Sequence, residues 1–230
     1  MKRLAPFCVM FALMVAGCTT TQARVSSQVS PKPPPGSTIV LVKPDVTLSL
    51  LTASGVMEPR DDWNQAVASN LSEQISRKLE GQSYRFIALD PATGTQGRAS
   101  QLLRLNQAVG RSIVLYSYGV INLPTKRNGF DWTLGEGASA ISPDAQFAMF
   151  VHASGAYSSS ARIATAVGMS LLGVAVPLGQ QQVMATLIDL KTGRVVWTNV
   201  AIAGPTADMR DREGAENLTD SLLKDLPILP

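Results

Sequence analysis

The side chains that could perform acid-base or metal chemistry are few in this chain and lie far apart. His152 is the only histidine, so a histidine metal cluster or a serine–histidine relay would depend on this one ring, and no group near it in sequence could orient it. We predict that His152 packs at a strand edge. The acidic groups Asp61-Asp62 and residues 208–213 fall at predicted helix starts, where carboxylates interact favourably with the helix dipole. The sequence therefore predicts no metal and no cofactor.

Two short motifs match those of penicillin-binding serine enzymes. Ser221 and Lys224 form S-x-x-K, and Lys191, Thr192 and Gly193 form K-T-G. In those enzymes the serine motif comes first and an S-D-N motif lies between the two, whereas here the order is reversed and S-D-N is missing. Lys191-Thr192-Gly193 instead fits the turn of a β-hairpin. We predict that the protein is not an enzyme.

A third motif, G-x-G-x-x-A at residues 135–140, resembles a dinucleotide-binding loop. Such a loop must follow a buried strand, and residues 131–133 do not form one. We interpret residues 122–143 as a glycine-rich irregular region, with Phe130 and Trp132 as its internal anchor.

Cys18 has the clearest chemistry, because it ends a complete export signal. Lys2 and Arg3 give the basic start, residues 7–16 are apolar, and Ala16 and Gly17 are small residues before the cysteine. The apolar run is too short to span a membrane. Cys8 would leave with the signal, so a disulfide is excluded.

This segment resembles bacterial lipoprotein signals, in which the cysteine is acylated, carries palmitate and becomes the mature N-terminus. The resemblance implies a signal peptide at residues 1–17 and lipidation of Cys18. Thr19, in place of an aspartate, resembles the sorting signal for the outer membrane. We therefore expect a protein anchored by lipid to the periplasmic face of the outer membrane of a Gram-negative bacterium. An ordinary secretory signal with an incidental cysteine is the alternative.

The overall charge does not favour nucleic acid as a partner. The chain has 20 Lys and Arg against 17 Asp and Glu, and two of the basic residues leave with the signal, so the net charge falls to about +1. Residues 18–36 carry few apolar side chains and end in a proline cluster. We predict that they form a disordered tether, followed by one domain at residues 37–230.

Hydrophobic periodicity predicts the elements of that domain. One strand is expected at residues 38–42, and the apolar run 46–51 after Pro44 indicates either a break in that strand or a longer loop behind it. Further strands are expected at residues 84–89 and 147–152, and a hairpin at residues 183–203 turns at Lys191-Thr192-Gly193, with Gly193 at positive φ and Trp197 buried. Helices are expected at residues 63–79, 102–113 and 207–223. This order predicts an α/β (α+β) fold, a mixed β-sheet of about five strands flanked by helices.

The closing hairpin, ATLIDLKTGRVVWTNVAI, followed by a helix and preceded by an acylated cysteine, resembles the CsgG/LpoB/PelC-like periplasmic lipoproteins. That resemblance implies a TolB N-terminal-like or anticodon-binding-like α/β domain. It also implies a part in secretion, export or cell-wall synthesis, since members of the group serve each of these. Residues 122–143 and 154–180 depart from the group's pattern.

The second departure contains an apolar insertion without charge at residues 163–178. As a helix of 16 residues it would extend about 24 Å, short of a hydrocarbon core of roughly 30 Å. Three interpretations remain open: a buried helix of the domain, an exposed segment that contacts a partner or another subunit, and membrane insertion. The candidate interface residues are Ile163, Val167, Gly168, Leu171, Leu172, Gly173 and Val174.

Together these features predict a non-enzymatic scaffold or accessory subunit of an envelope complex. Its expected partners are the membrane, through the N-terminal lipid, other cell-envelope proteins and further copies of itself. The alternative is a cell-wall hydrolase or a glycan-binding lipoprotein. A charged, convergent cleft would favour that alternative, and a protruding apolar segment would favour the scaffold.

Overall fold

The computed structural model describes residues 19–26, 30, 32–119, 121, 123–126, 129–203 and 207–229. The predicted signal peptide and Cys18 lie outside the described residues. The described part confirms a mixed α/β fold, with helices packed on both faces of one sheet.

In the part of the chain that the structure describes, the sheet has eight strands, against the five or so that the sequence predicts. Six of them follow the order β1-β8-β7-β6-β2-β5, β3 also pairs with β6, and β4 pairs with β3. The strands are β1 (Thr20–Val25), β2 (Thr38–Val42), β3 (Asp45–Leu51), β4 (Met57–Pro59), β5 (Arg85–Leu89), β6 (Phe147–Ser158), β7 (Gln181–Asp189) and β8 (Val195–Ile202).

Among the described residues the longer helices are α1 (Asp61–Leu79), α2 (Gly97–Ile113), α3 (Ser160–Ser170) and α4 (Arg212–Leu223). Local signals in the sequence mark the ends of α1 and α4. Asp61 and Asp62 lie in the first turn of α1, and Gly81 has φ of +78° just beyond its end. The side chain of Asp211 caps α4 by accepting a hydrogen bond from the Gly214 amide, with an N–O distance of 2.7 Å.

The long strand β6 organises the centre of the sheet. Its first half pairs in parallel with β2, and its second half pairs in parallel with β3. The chain leaves the sheet between these partners at Lys43-Pro44, where proline cannot donate a ladder hydrogen bond. Alternate residues of β6 enter the two cores: Met149 and Val151 pack on the side of α1 and α4, and Ala148 and Phe150 on the side of α2.

The closing hairpin is confirmed in detail. β7 and β8 pair antiparallel, Gly193 has φ of +69°, and Trp197 is fully buried. Asp189 Oδ1 accepts hydrogen bonds from the Lys191 and Thr192 amides, with N–O distances of 2.8 and 3.2 Å. A Cβ on Gly193 would lie 2.1 Å from the carbonyl oxygen of Gly135, so the turn requires glycine both for its conformation and for space.

The disordered tether predicted for residues 18–36 is wrong over Thr20–Val25. These residues form β1, and every one of them pairs antiparallel with a residue of β8. A strand at the edge of a sheet is held by backbone hydrogen bonds, so it does not require the apolar side chains whose absence suggested disorder. Part of the proline cluster is also ordered against the domain, since Tyr84 donates a hydrogen bond to the carbonyl of Pro33 at 3.1 Å.

Candidate functional site

The apolar segment, residues 163–178, is exposed. Leu171 is 85% and Leu172 76% accessible to solvent, and Val167 is 59% accessible. Further large apolar side chains that are about half exposed are Ile163, Val174 and Leu178. None of the residues of α3 is buried, so the interpretation as a helix of the core is wrong. Gly168 and Gly173 have open space around them, and no part of the described domain covers the segment.

Polar contacts fix the base of the apolar segment to the sheet. Ser159 caps α3 by accepting a hydrogen bond from the Arg162 amide. The Arg162 side chain donates to the carbonyl of Pro177 at 2.9 Å and to that of Thr52 at 3.4 Å, which joins both ends of the segment to the turn after β3. Gly179 donates to Ser158 Oγ at 2.8 Å. The apolar side chains therefore project from a well-fixed base.

The polar groups within the apolar segment are satisfied internally. The hydroxyl of Thr165 donates to the carbonyl of Ala161, and that of Ser170 donates to the carbonyl of Val167. α3 ends at Ser170, and three residues later Gly173, with φ of +76°, lets the chain reverse. Such internal hydrogen bonds reduce the free-energy cost of moving hydroxyls into an apolar environment.

The apolar segment leaves the sheet at the end where β1 begins. Thr20 pairs with Ile202, which pairs with Gln182, which pairs with Ser154. β1 runs antiparallel to β6, so the chain before Thr20 and the chain after Ser158 leave the same end of the sheet. Three strand spacings of about 4.8 Å separate β1 from β6, roughly 14 Å in all.

A stack of aromatic and cationic side chains lies where β6 approaches the apolar segment. The Arg210 guanidinium lies 3.7 Å from the ring centroid of Tyr157 and 4.7 Å from that of Trp63. It forms a bidentate ion pair with Asp208, donating from Nε to Oδ1 and from Nη2 to Oδ2. The Trp63 and Tyr157 rings meet edge to face. This stack connects α1, β6 and the segment before α4, so its role is to hold the fold.

A second candidate site surrounds His152. Its Nδ1 lies 3.2 Å from Asp45 Oδ2, and Gln107 donates to the same carboxylate oxygen at 2.9 Å. The hydrogen bond from His152, with a smaller effect from the charge of Arg111, holds the pKa of Asp45 below its usual value. His152 lies on the interior strand β6, between Asp45 of β3 and Met184 of β7, so the prediction of a strand-edge position is wrong.

These residues line a cleft of about 270 Å³ between α2 and the sheet. Its base includes Phe150 and Met184, both nearly buried. Lys43, at the carboxyl end of β2, forms an ion pair of 2.7 Å with Asp90, at the carboxyl end of β5. The chain from β2 continues through β3 and β4 to α1 on one face of the sheet, whereas the chain from β5 continues to α2 on the other face. Open α/β sheets bind ligands where successive connections diverge in this way.

Sequence reasoning missed this cleft because its parts are distant in the chain. Asp45 supplies the orienting group that His152 lacks among its sequence neighbours. The available signal was a polar stripe on one face of α2, formed by residues spaced three or four apart: Ser100, Arg104, Gln107 and Arg111. Among the described residues, no three His, Cys, Asp or Glu side chains come together as a metal site.

The structure gives local roles to the three enzyme-like motifs. Ser221 donates its hydroxyl to the carbonyl of Asn217 within α4, and Lys191-Thr192-Gly193 is the hairpin turn. Gly135 and Gly137 both have positive φ in a turn before the short helical turn Ala138–Ile141. The predicted anchor residues Phe130 and Trp132 are buried.

No family model and no curated protein matches this chain. Solved structures that are similar to it include two forms of one protein. A PelC dodecamer from Paraburkholderia phytofirmans has 14% sequence identity over 92% of this chain and 99% of that chain, with a TM-score of 0.36. A dodecamer of a PelC point variant from the same organism has 12% identity over 91% of this chain and 99% of that chain, with a TM-score of 0.35. At these values neither likeness carries an argument about this chain, and membership of the group that the sequence resembles stays a prediction.

Proposed function

We propose that this chain is an outer-membrane lipoprotein that acts as a non-enzymatic accessory subunit of an envelope complex, and that its apolar segment rests on the membrane beside the lipid anchor. The exposure of Leu171, Leu172 and their apolar neighbours is the observation that carries this proposal. Exposed apolar patches on a folded domain mark contacts with proteins or membranes.

The position of the N-terminus favours a membrane over a protein at this surface. Acyl chains on Cys18 would begin two residues before Thr20, at the end of the sheet from which the apolar segment projects. The lipid and the segment would then meet the same membrane surface, and each apolar CH₂ that enters it contributes about 0.8 kcal/mol.

The composition of the segment suits shallow burial in the membrane interface. No charged residue occurs from 163 to 188, and the hydroxyls of Thr165 and Ser170 already donate within the helix. α3 has 11 residues, and no helix in the described part of the chain is both long and apolar enough to cross a membrane. We therefore place the segment in the interfacial layer, to a depth of about 5–10 Å.

This placement determines how the domain would be presented to other envelope proteins. With β1 in the sheet, the domain would be held at the membrane and not at the end of a long tether. The hairpin turn at Lys191-Thr192-Gly193 lies at the opposite end of the sheet and would face the periplasm. Partners in an export or cell-wall complex would then meet a domain of fixed orientation.

A single introduced thiol tests the placement. The chain has two cysteines; Cys8 would leave with the signal and Cys18 would be blocked by acylation. Leu172→Cys, labelled with an environment-sensitive fluorophore in outer-membrane preparations, is expected to show a blue-shifted emission that lipid-phase quenchers reduce. Leu105→Cys, on the exposed part of α2, is the matched control and should stay aqueous. Equal, aqueous emission at both sites would contradict the proposal.

The cleft at His152 is the observation that favours the alternative, a glycan-binding lipoprotein. Its paired Asp45 and His152 and its cationic rim form the convergent polar site that this alternative requires. A glycan could bind in this cleft while the apolar segment contacts the membrane.

A further inference from the structure

We infer that the cleft between α2 and the sheet binds one acidic sugar unit, with its carboxylate on Arg104 and Arg111 and a ring hydroxyl on Asp45. This inference goes beyond the proposed function and does not depend on the apolar segment. It rests on the charges, hydrogen-bonding capacity, base and size of the cleft.

The two arginines supply the site for the carboxylate. Arg104 and Arg111 lie seven residues apart on one face of α2 and both line the cleft. Neither guanidinium makes a hydrogen bond or an ion pair with another residue in the part of the chain that the structure describes. A guanidinium presents parallel N–H donors that match the two oxygens of a carboxylate.

Asp45 supplies an acceptor for a hydroxyl. Its Oδ2 is engaged by His152 and Gln107, which fixes the orientation of the carboxylate, while its Oδ1 accepts no hydrogen bond from any described residue. The second ring nitrogen of His152 is also available to a ligand. An oriented acceptor beside two cationic donors suits a molecule that carries both a hydroxyl and an anionic group.

The base and size of the cleft fit a sugar ring. Phe150 and Met184 give the base an apolar surface, on which the C–H groups of a pyranose can pack. The cleft volume of about 270 Å³ is the volume that about nine molecules occupy in liquid water. That space holds one ring and not a longer chain.

The closeness of α2 to the sheet gives the cleft its depth. Gly110 of α2 lies directly over Met184 of the sheet, since a Cβ there would lie 2.7 Å from Met184 Cε. The rim on the other side is fixed by the Lys43–Asp90 ion pair. The walls of the site therefore belong to rigid elements of the fold.

The single histidine makes the test specific. In the imidazole NMR spectrum of the acylated full-length mature chain in detergent, every histidine signal belongs to His152. Glucuronate is expected to shift these signals saturably, with a dissociation constant on the order of 1 mM. Glucose lacks the carboxylate and acetate lacks the hydroxyls, so each should bind at least about tenfold more weakly.

Variants assign the effect to the cleft. Arg104→Gln with Arg111→Gln should weaken glucuronate binding by about tenfold or more, and both positions are exposed, so the fold is retained. Arg98→Gln, on the same helix but outside the cleft, is the matched control and should bind as the wild type. Equal shifts with acetate and glucuronate, no saturable shift with glucuronate, or unchanged binding by the double variant would each overturn the inference.

Discussion

His152 and Asp45 are neighbours on adjacent parallel strands, with the Nδ1 of His152 3.2 Å from the Oδ2 of Asp45. The pairing of β3 with β6 joins residues 107 positions apart in the sequence. A histidine without partners nearby in the chain thereby becomes one half of an oriented pair in a cleft.

The first prediction concerns the pH dependence of this pair. The folded-state pKa of Asp45 is below the usual 3.8, so the interaction stabilises the fold above that pH, and its contribution is lost as pH falls through the lower folded-state pKa. His152→Phe should raise the pKa of Asp45, because it removes the largest cause of the shift. An NMR titration of the Asp45 carboxyl carbon measures this.

Gln107→Ala is the control for that titration. Gln107 donates to the same oxygen but lowers the pKa of Asp45 less than His152 does, so the rise should be smaller. An unchanged Asp45 pKa in His152→Phe would show that the pair is not formed.

The second prediction concerns the anchor. Cys18→Ser should block acylation and leave the protein unprocessed or absent from the outer-membrane fraction, because serine cannot accept the lipid as a thioether. Gel mobility and membrane fractionation measure the result. Cys8→Ser is the matched control and should be processed normally. If the Cys18→Ser variant is processed and located like the wild type, the lipoprotein interpretation is wrong.

The third prediction concerns the turn of the closing hairpin. Gly193→Ala should lower the free energy of unfolding by more than about 1 kcal/mol, since the new Cβ adds both strain at positive φ and a collision with Gly135. Gly81→Ala is the control, because Gly81 also has positive φ but has open space around it. Chemical denaturation of both variants separates the effect of strain at positive φ from that of the collision. Equal losses of unfolding free energy in the two variants would show that the backbone near Gly193 shifts and removes the collision with Gly135.

The fourth prediction concerns the stack at the end of β6. Arg210→Ala should lower the free energy of unfolding by about 1 kcal/mol, because it removes contacts with Trp63 and Tyr157 together with a partly solvent-screened ion pair. Arg210→Lys should not restore the loss, since lysine lacks the planar, bidentate group. Arg212→Ala, at a more exposed arginine, should change the stability little. Full restoration by lysine would mean that charge alone matters.

The sequence predicts the parts of this fold that local pattern determines. The period of α1, the end signal at Gly81 and the hairpin around Gly193 each depend on residues close together in the chain, and the structure confirms all three. Pairing between distant strands has no such signal. The sequence therefore does not reveal that β2 and β3 share one partner, or that their break opens a cleft beside His152.

Two further differences have the same physical origin. β1 consists mostly of polar residues, and its strand conformation depends on pairing with the backbone of β8, which local composition does not show. The apolar segment has the composition of a core helix, and only the structure shows that no described residue covers Leu171 and Leu172. The hydrophobic pattern of a segment indicates which of its side chains could be buried. The tertiary fold determines whether the domain itself covers them.

The central claim is that the apolar segment is a second membrane contact, and vesicle binding by the unacylated chain tests it most directly. We expect residues 19–230, prepared without the signal and lipid, to co-sediment with phosphatidylcholine vesicles. Leu171→Ser with Leu172→Ser should reduce the bound fraction by at least about tenfold, since both side chains lose their apolar transfer free energy. Leu105→Ser with Leu115→Ser, at exposed positions on and just after α2, should bind like the unchanged chain. Absence of vesicle binding by the unchanged chain, or equal binding by the Leu171/Leu172 variant, would contradict the account.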